Sequence, residues 1–163
     1  MSVRWPKEVE LLEAPYSSDL YLKSLALREA ILRKPLGLTV TEEERADDLS
    51  RQHFCAVLQG AVVGTVSLQR LDGETLQLRQ MAVAEDRRRE KIGARLLARA
   101  EDWARWEGYR LIVLHARLGA EGFYASYGYV AEGAPFDEHT IPHLRMTKRL
   151  VGRSDAANLP QQE

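Results

Sequence analysis

The chain has 163 residues, enough for one domain with a real apolar core and hardly for two. Lys and Arg number 23 against 24 Asp and Glu, so the net charge of -1 supplies no global field for nucleic acid or an anionic membrane, and any anion binding must be local. The single cysteine, Cys55, excludes an intramolecular disulfide and a cysteine-based zinc cluster; no apolar run approaches the ~18 residues of a membrane span, and the cytoplasm is the expected location.

In chain order, "KEVELLEA" (7–14) alternates and reads as a first strand. "SSDLYLKSLALREAILRKPLG" (17–37) reads as one helix with Leu20, Leu25, Leu27, Ile31 and Leu32 mostly on one side. Ser17, Ser18 and Asp19 offer its caps, and Pro35 with Gly37 stops it. "TEEERADDL" (41–49) reads as a short acidic helix capped by Thr41. Three strands follow at 53–59, 61–71 and 75–83, turned by Gly60 and by "DGE" (72–74), which makes an antiparallel meander. Cys55, inside the first of them, reads as a buried thiol rather than a nucleophile.

A long helix spans 91–107, with Ile92, Leu96, Leu97, Ala100, Trp103 and Ala104 on its apolar face and Arg95, Arg99, Glu101 and Arg105 toward water. "RLIVLHA" (110–116) has the continuous apolar centre of a strand buried on both faces. A short helix at 119–128 closes at Gly128, and strands at 129–136 and 142–150 complete the sheet. The expected fold is α/β (α+β): one domain over 1–150, a central mixed, mostly antiparallel twisted sheet of about seven strands flanked by helices, then a polar, flexible tail at 151–163.

The stretch "RRREKIG" (87–93) falls at the turn between a strand and the long helix. The first helical N–H groups there have no internal acceptors, and the helix end carries partial positive charge. Gly93 opens the backbone to a ligand, and Arg88 and Arg89 add guanidinium groups suited to phosphate oxygens. That is the chemistry of a pyrophosphate site, and equally of a solvated helix end. Neither GxxxxGK[ST] nor GxGxxG occurs, so the common nucleotide loops fail on spacing. Arg87–Lys91 is one short basic patch with no aromatic stacking surface, which argues against nucleic acid as a partner. The four histidines are scattered without metal-ligand spacing.

From Leu78 to Leu150 the chain resembles the acyl-coenzyme A binding half of the GNAT N-acetyltransferase superfamily. "MAV" (81–83) leads into "RREKIG" (88–93), similar to the family's [QR]-x-x-G-x-[GA]. Arg88 and Gly93 match its ends, while Lys91 stands where the central glycine belongs. A non-glycine is tolerable there if the backbone is helical and costly if φ must be positive. "RLGAEGFYASYGYV" (117–130) resembles N-x-x-A-x-x-[LF]-Y-x-x-x-G-[FY], with Ala120, Phe123, Tyr124, Gly128 and Tyr129 on pattern and Arg117 in place of the asparagine. "EKIG" (90–93), "FYASYGY" (123–129) and "IPH" (141–143) resemble the ElaA-like branch in particular.

The resemblance implies acetyl-CoA as cosubstrate, no metal, and acetyl transfer to a primary amine by direct attack in a ternary complex. It places the coenzyme on Met81, Ala82 and Val83, on Arg88, Arg89, Glu90, Lys91, Ile92, Gly93 and Ala94, and beside Tyr124. Tyr124 is implied as the acid that protonates the departing thiolate, since a phenol is protonated at neutral pH. His143 is the first candidate for the base, with Glu138, His139 and Glu74 as others, and His115 either packs in the core or lines the pocket. Residues 27–37 would help wall the acceptor site. A small-molecule amine is the expected acceptor, and Glu132, Asp137 and Glu138 would either favour its charge or solvate a loop. A homodimer is compatible with the fold. The competing expectation is a non-catalytic acyl-CoA-binding or interaction protein; the off-pattern Lys91 and Arg117 motivate it, and Tyr124 argues against it.

Overall fold

A computed structural model describes residues 9–85 and 91–151 of the chain. Among them, β1 (Glu10–Glu13), β2 (Gln52–Leu58), β3 (Ala61–Arg70), β4 (Thr75–Val83), β5 (Leu111–Arg117), β6 (Val130–Glu138) and β7 (Ile141–Arg149) form a mixed sheet in the order β1-β2-β3-β4-β5-β7-β6. Helices α1 (Asp19–Arg28), α2 (Glu42–Asp48), α3 (Ile92–Trp106) and α4 (Glu121–Ser126) flank it, and this is the fold class the sequence anticipates. Two compact units divide the chain: Met1–Gln69 with Gln80–Ala100, and Arg70–Arg79 with Glu101–Glu163.

In the first unit β1, β2 and β3 pair antiparallel. Gln59 and Gly60, at φ 52° and 81°, turn β2 into β3 with two left-handed residues, the hairpin form whose twist matches the strands. β2 is buried from His53 to Leu58, including Cys55, as expected of that thiol. Phe54, Val66, Ile92, Leu96 and Leu97 are among the buried apolar residues. Gly64 is required for close packing, because a β-carbon there would lie 2.8 Å from both Ile92 Cγ2 and Leu96 Cδ1.

The segment 17–37 is not one helix. Ser18 caps α1 by accepting the Tyr21 N–H (3.1 Å), but α1 ends at Arg28, followed by a π-helical turn over Glu29–Arg33 and a 3-10 turn over Lys34–Leu36. Pro35 cannot donate to a continuing ladder, and Gly37 closes the segment at φ 72°. On the side that carries the leucines, Tyr21, Ser24 and Arg28 are buried, and Leu20, Leu25, Leu27, Ile31 and Leu32 flank them half-buried. Polar partners on other elements, Asp48 and Gln80, meet Tyr21 and Arg28 at the centre of that side. Thr41 caps α2 as expected, accepting the Glu44 N–H at 3.1 Å.

In the second unit β4 runs parallel to β5 from Thr75↔Leu111 to Leu78↔Leu114, and β5 pairs antiparallel with β7 from Leu111↔Arg149 to Arg117↔His143. β6 and β7 are joined by His139 and Thr140, both left-handed at φ 51° and 63°. That conformation is rare for a β-branched residue such as Thr140. Glu101, expected to face water, is instead 6% exposed. It accepts hydrogen bonds from Tyr129 Oη and Lys148 Nζ, both at 2.9 Å, and pairs with Arg105 at 3.5 Å. Trp103 is half-buried, stacked on Tyr109 with the Arg70 guanidinium 5.7 Å from its ring centre.

Candidate active site

The expected coenzyme-binding residues that the structure describes in the first unit lie on β4 and the start of α3. Gln80 interrupts β4 at φ 58°, left-handed in the middle of a strand. Met81 and Val83 come next, half-buried with Ala82 buried between them, and the Ala84 N–H donates to Val63 O at 2.9 Å. Arg88, Arg89 and Glu90 lie outside the described residues. Lys91 is exposed at φ 59°, and its carbonyl accepts the Arg95 N–H at 3.1 Å, so α3 begins directly after it. The N–H groups of Ile92, Gly93 and Ala94 therefore precede the helix's own ladder. Ile92 is fully buried and anchors this end, with Gly93 and Ala94 half-buried. Of the two backbone states open to Lys91, the structure adopts the costly one: a lysine holds the left-handed conformation that suits glycine, at roughly 1–2 kcal/mol.

The second unit carries the expected acid and base. Tyr124 is 8% exposed in α4, edge-on to Phe123 (5.0 Å between ring centres) and Tyr129 (5.8 Å). Burial pushes its phenol up to about 12, which keeps the proton on the oxygen at neutral pH. Gly128, at φ 96°, ends the helical segment as anticipated.

His143 lies buried on β7 with its ring 6.2 Å from that of Phe136, nearly parallel at 28°. Its Nδ1 is 2.7 Å from Ile141 O; a carbonyl only accepts, so Nδ1 carries the hydrogen. Nε2 is left to face Glu138 Oε2 at 3.7 Å. The other Glu138 oxygen accepts from His115 Nδ1 at 3.1 Å, and the Phe136 ring stands edge-on to His115 at 4.9 Å. Burial works to raise the Glu138 carboxyl, but the His115 hydrogen bond and the charges of His115, His143 and Arg79 outweigh it and hold the group below its usual value.

Two of the candidate bases, His143 and Glu138, thus come together with His115 in one array. His139 sits exposed in the hairpin turn. Glu74 lies at the other end of β5, where its carbonyl takes the Arg110 N–H at 2.8 Å, about 20 Å along the strand from the Arg117↔His143 pair. Glu132 is held by Arg145 and by Thr147 Oγ1, and Asp137 is exposed.

Sequence reasoning missed a second polar cluster, in the first unit. Asp48, fully buried at the end of α2, accepts from Tyr21 Oη (2.6 Å), Arg28 Nη2 (2.8 Å) and Arg51 Nη1 (3.2 Å). His53 Nε2 donates to Asp48 O at 2.8 Å. Burial works to raise the Asp48 carboxyl, but the hydrogen bonds from Arg28 and Tyr21 hold it below its usual value. The one available signal was the helical spacing of Tyr21, Ser24 and Arg28, a polar face that solvent did not need to claim.

The model of the acetyltransferase (GNAT) domain matches residues 36–150, and the chain belongs to that family. YyaT, an uncharacterized protein of Bacillus subtilis, is 26% identical over 136 residues, covering 82% of this chain and 90% of its own. A proposed N-acetyltransferase from Lactobacillus plantarum superimposes with a TM-score of 0.79 at 24% identity, over 87% of this chain and 98% of that one. ElaA of Escherichia coli does so with 0.74 at 22%, over 86% and 99%. A GNAT family acetyltransferase of Elizabethkingia anophelis with acetyl-CoA bound gives 0.66 at 18%, over 87% and 98%. Among the described residues no helix is long and apolar enough to cross a membrane, and no group of three His, Cys, Asp or Glu is placed to hold a metal ion.

Proposed function

We propose that the chain is an N-acetyltransferase that moves the acetyl group of acetyl-CoA to a primary amine of a small molecule, by direct attack in a ternary complex in the cytoplasm. The observation that carries this reading is the family match over 36–150, which spans both the Met81–Val83 strand and Tyr124. The acetyl-CoA bound to the related Elizabethkingia anophelis protein supports the cosubstrate. In this reading the backbone of Met81, Ala82 and Val83 pairs with the pantetheine chain, and residues 88–94 hold the pyrophosphate. The amine nitrogen attacks the thioester carbonyl carbon and the carbon–sulfur bond breaks. Tyr124 Oη gives its proton to the departing sulfur, and the proton leaving nitrogen passes to the Glu138–His143 pair, with His143 Nε2 as its destination. Preorganised groups need only position and stabilise; no metal enters the scheme.

The second reading, a coenzyme-binding module without turnover, is favoured by one observation: Lys91 keeps a strained backbone where the family pattern has glycine. Thiol release from acetyl-CoA against a panel of primary amines separates the two. An enzyme releases thiol, and Tyr124→Phe lowers kcat by roughly 10²–10⁴-fold, while His143→Ala alters the pH–rate profile. Coenzyme binding with no thiol release from any amine supports the module.

A further inference from the structure

The left-handed residue inside β4 is held from outside the strand. Gln80 Oε1 accepts two hydrogen bonds, from Ser67 Oγ on β3 at 2.8 Å and from Arg28 Nη1 at the end of α1 at 3.2 Å. Ser67 is 2% exposed and Arg28 3% exposed, so neither bond competes with bulk water. Arg28 is itself fixed, since its Nη2 donates to Asp48 Oδ2 at 2.8 Å and Asp48 is tied to Tyr21 and Arg51. The π-helical turn begins at the residue after Arg28, where an inserted residue re-aims the chain. A strained backbone state persists only when its surroundings over-determine it; here two elements, α1 and β3, converge on one side-chain oxygen, and α2 holds the arginine of the first.

We propose that Gln80 is a positioning residue: its amide, latched by Arg28 and Ser67, locks the break in β4 and so sets the direction in which the next stretch of backbone, Met81 to Val83, meets the thioester end of acetyl-CoA. A local irregularity in a strand re-aims the residues after it and ends regular pairing, which is why its rigidity matters for the ligand. Asp48 acts one step further back, by holding Arg28. The inference rests on the proposed function for its ligand and on the hydrogen bonds for its mechanism.

The test is calorimetric titration of the full chain with acetyl-CoA and with 3′,5′-ADP, the latter measured by displacement. Gln80→Ala loses both hydrogen bonds and so releases the break. It should weaken acetyl-CoA by about tenfold or more, equivalent to about 1.4 kcal/mol, and leave 3′,5′-ADP unchanged. Gln80→Glu, which still offers oxygens to Arg28 and Ser67, should restore most of the affinity. Ser67→Ala removes only one bond to Gln80 and should show the same ligand dependence at smaller size; it carries the test if Gln80→Ala does not fold. Equal loss for both ligands would reduce Gln80 to general stability, and no loss for acetyl-CoA would remove the latch; either overturns the inference. A wild-type chain that binds neither ligand overturns the proposed function instead.

Discussion

Asp48→Asn isolates the buried charge from its shape. The side chain is fully buried and accepts three hydrogen bonds, two of them from guanidinium groups. Asparagine preserves the volume, so no cavity opens; the change is that Arg28, 3% exposed, loses its counter-charge and that an amide N–H₂ replaces one acceptor. Breaking a buried pair in this way costs about 3–5 kcal/mol. For a chain of this size that corresponds to roughly 6–20 °C in Tm. Thermal and urea unfolding of the wild type and the variant at neutral pH measures it. The pH dependence gives a second check. The folded carboxyl lies below its unfolded value, so its contribution is fully present above the ordinary carboxylate range and is lost as pH falls through the lowered folded value. The gap between the two proteins should therefore narrow in acid. A drop of less than about 2 °C at neutral pH, or a gap that stays constant into acid, would refute this role for the charge.

Other outcomes depend on single positions. Gly64→Ala places a methyl group 2.8 Å from Ile92 and Leu96, so urea unfolding should register a loss of about 1–3 kcal/mol; an unchanged midpoint would mean that α3 and β3 do not pack so closely. Lys91→Gly removes roughly 1–2 kcal/mol of left-handed strain against about 0.5–1 kcal/mol of added chain entropy. The variant should be as stable as the wild type or slightly more so, and clear destabilisation would contradict the strain.

Whether a feature is legible in the amino-acid order depends on how local its cause is. β4 is legible to the residue, Thr75–Val83, because "DGE" marks its start and alternation carries it forward. The caps Ser18 and Thr41 are legible because each bonds to an N–H three residues on. Tyr124 and the 141–143 segment stand out through short patterns. The break at Gln80 does not, since what holds it is not local: its partner Arg28 is 52 residues away. Asp48 and Glu101 look solvated for the same reason: charge on a helix reads as exposure, and only distant Arg28, Tyr21, Tyr129 and Lys148 bury it. The meeting of His115, Glu138 and His143 depends on the registers that β7 makes with β5 and β6, which no spacing within one segment encodes.

If this chain binds acetyl-CoA in order to transfer its acetyl group, calorimetric titration of the purified protein with acetyl-CoA is the most direct test. One-site binding in the micromolar range is expected, weakened when Arg88 is replaced. Absence of any binding at millimolar acetyl-CoA would contradict the proposed function, and Lys91 and Arg117 would then mark a site that the family fold retains in outline only.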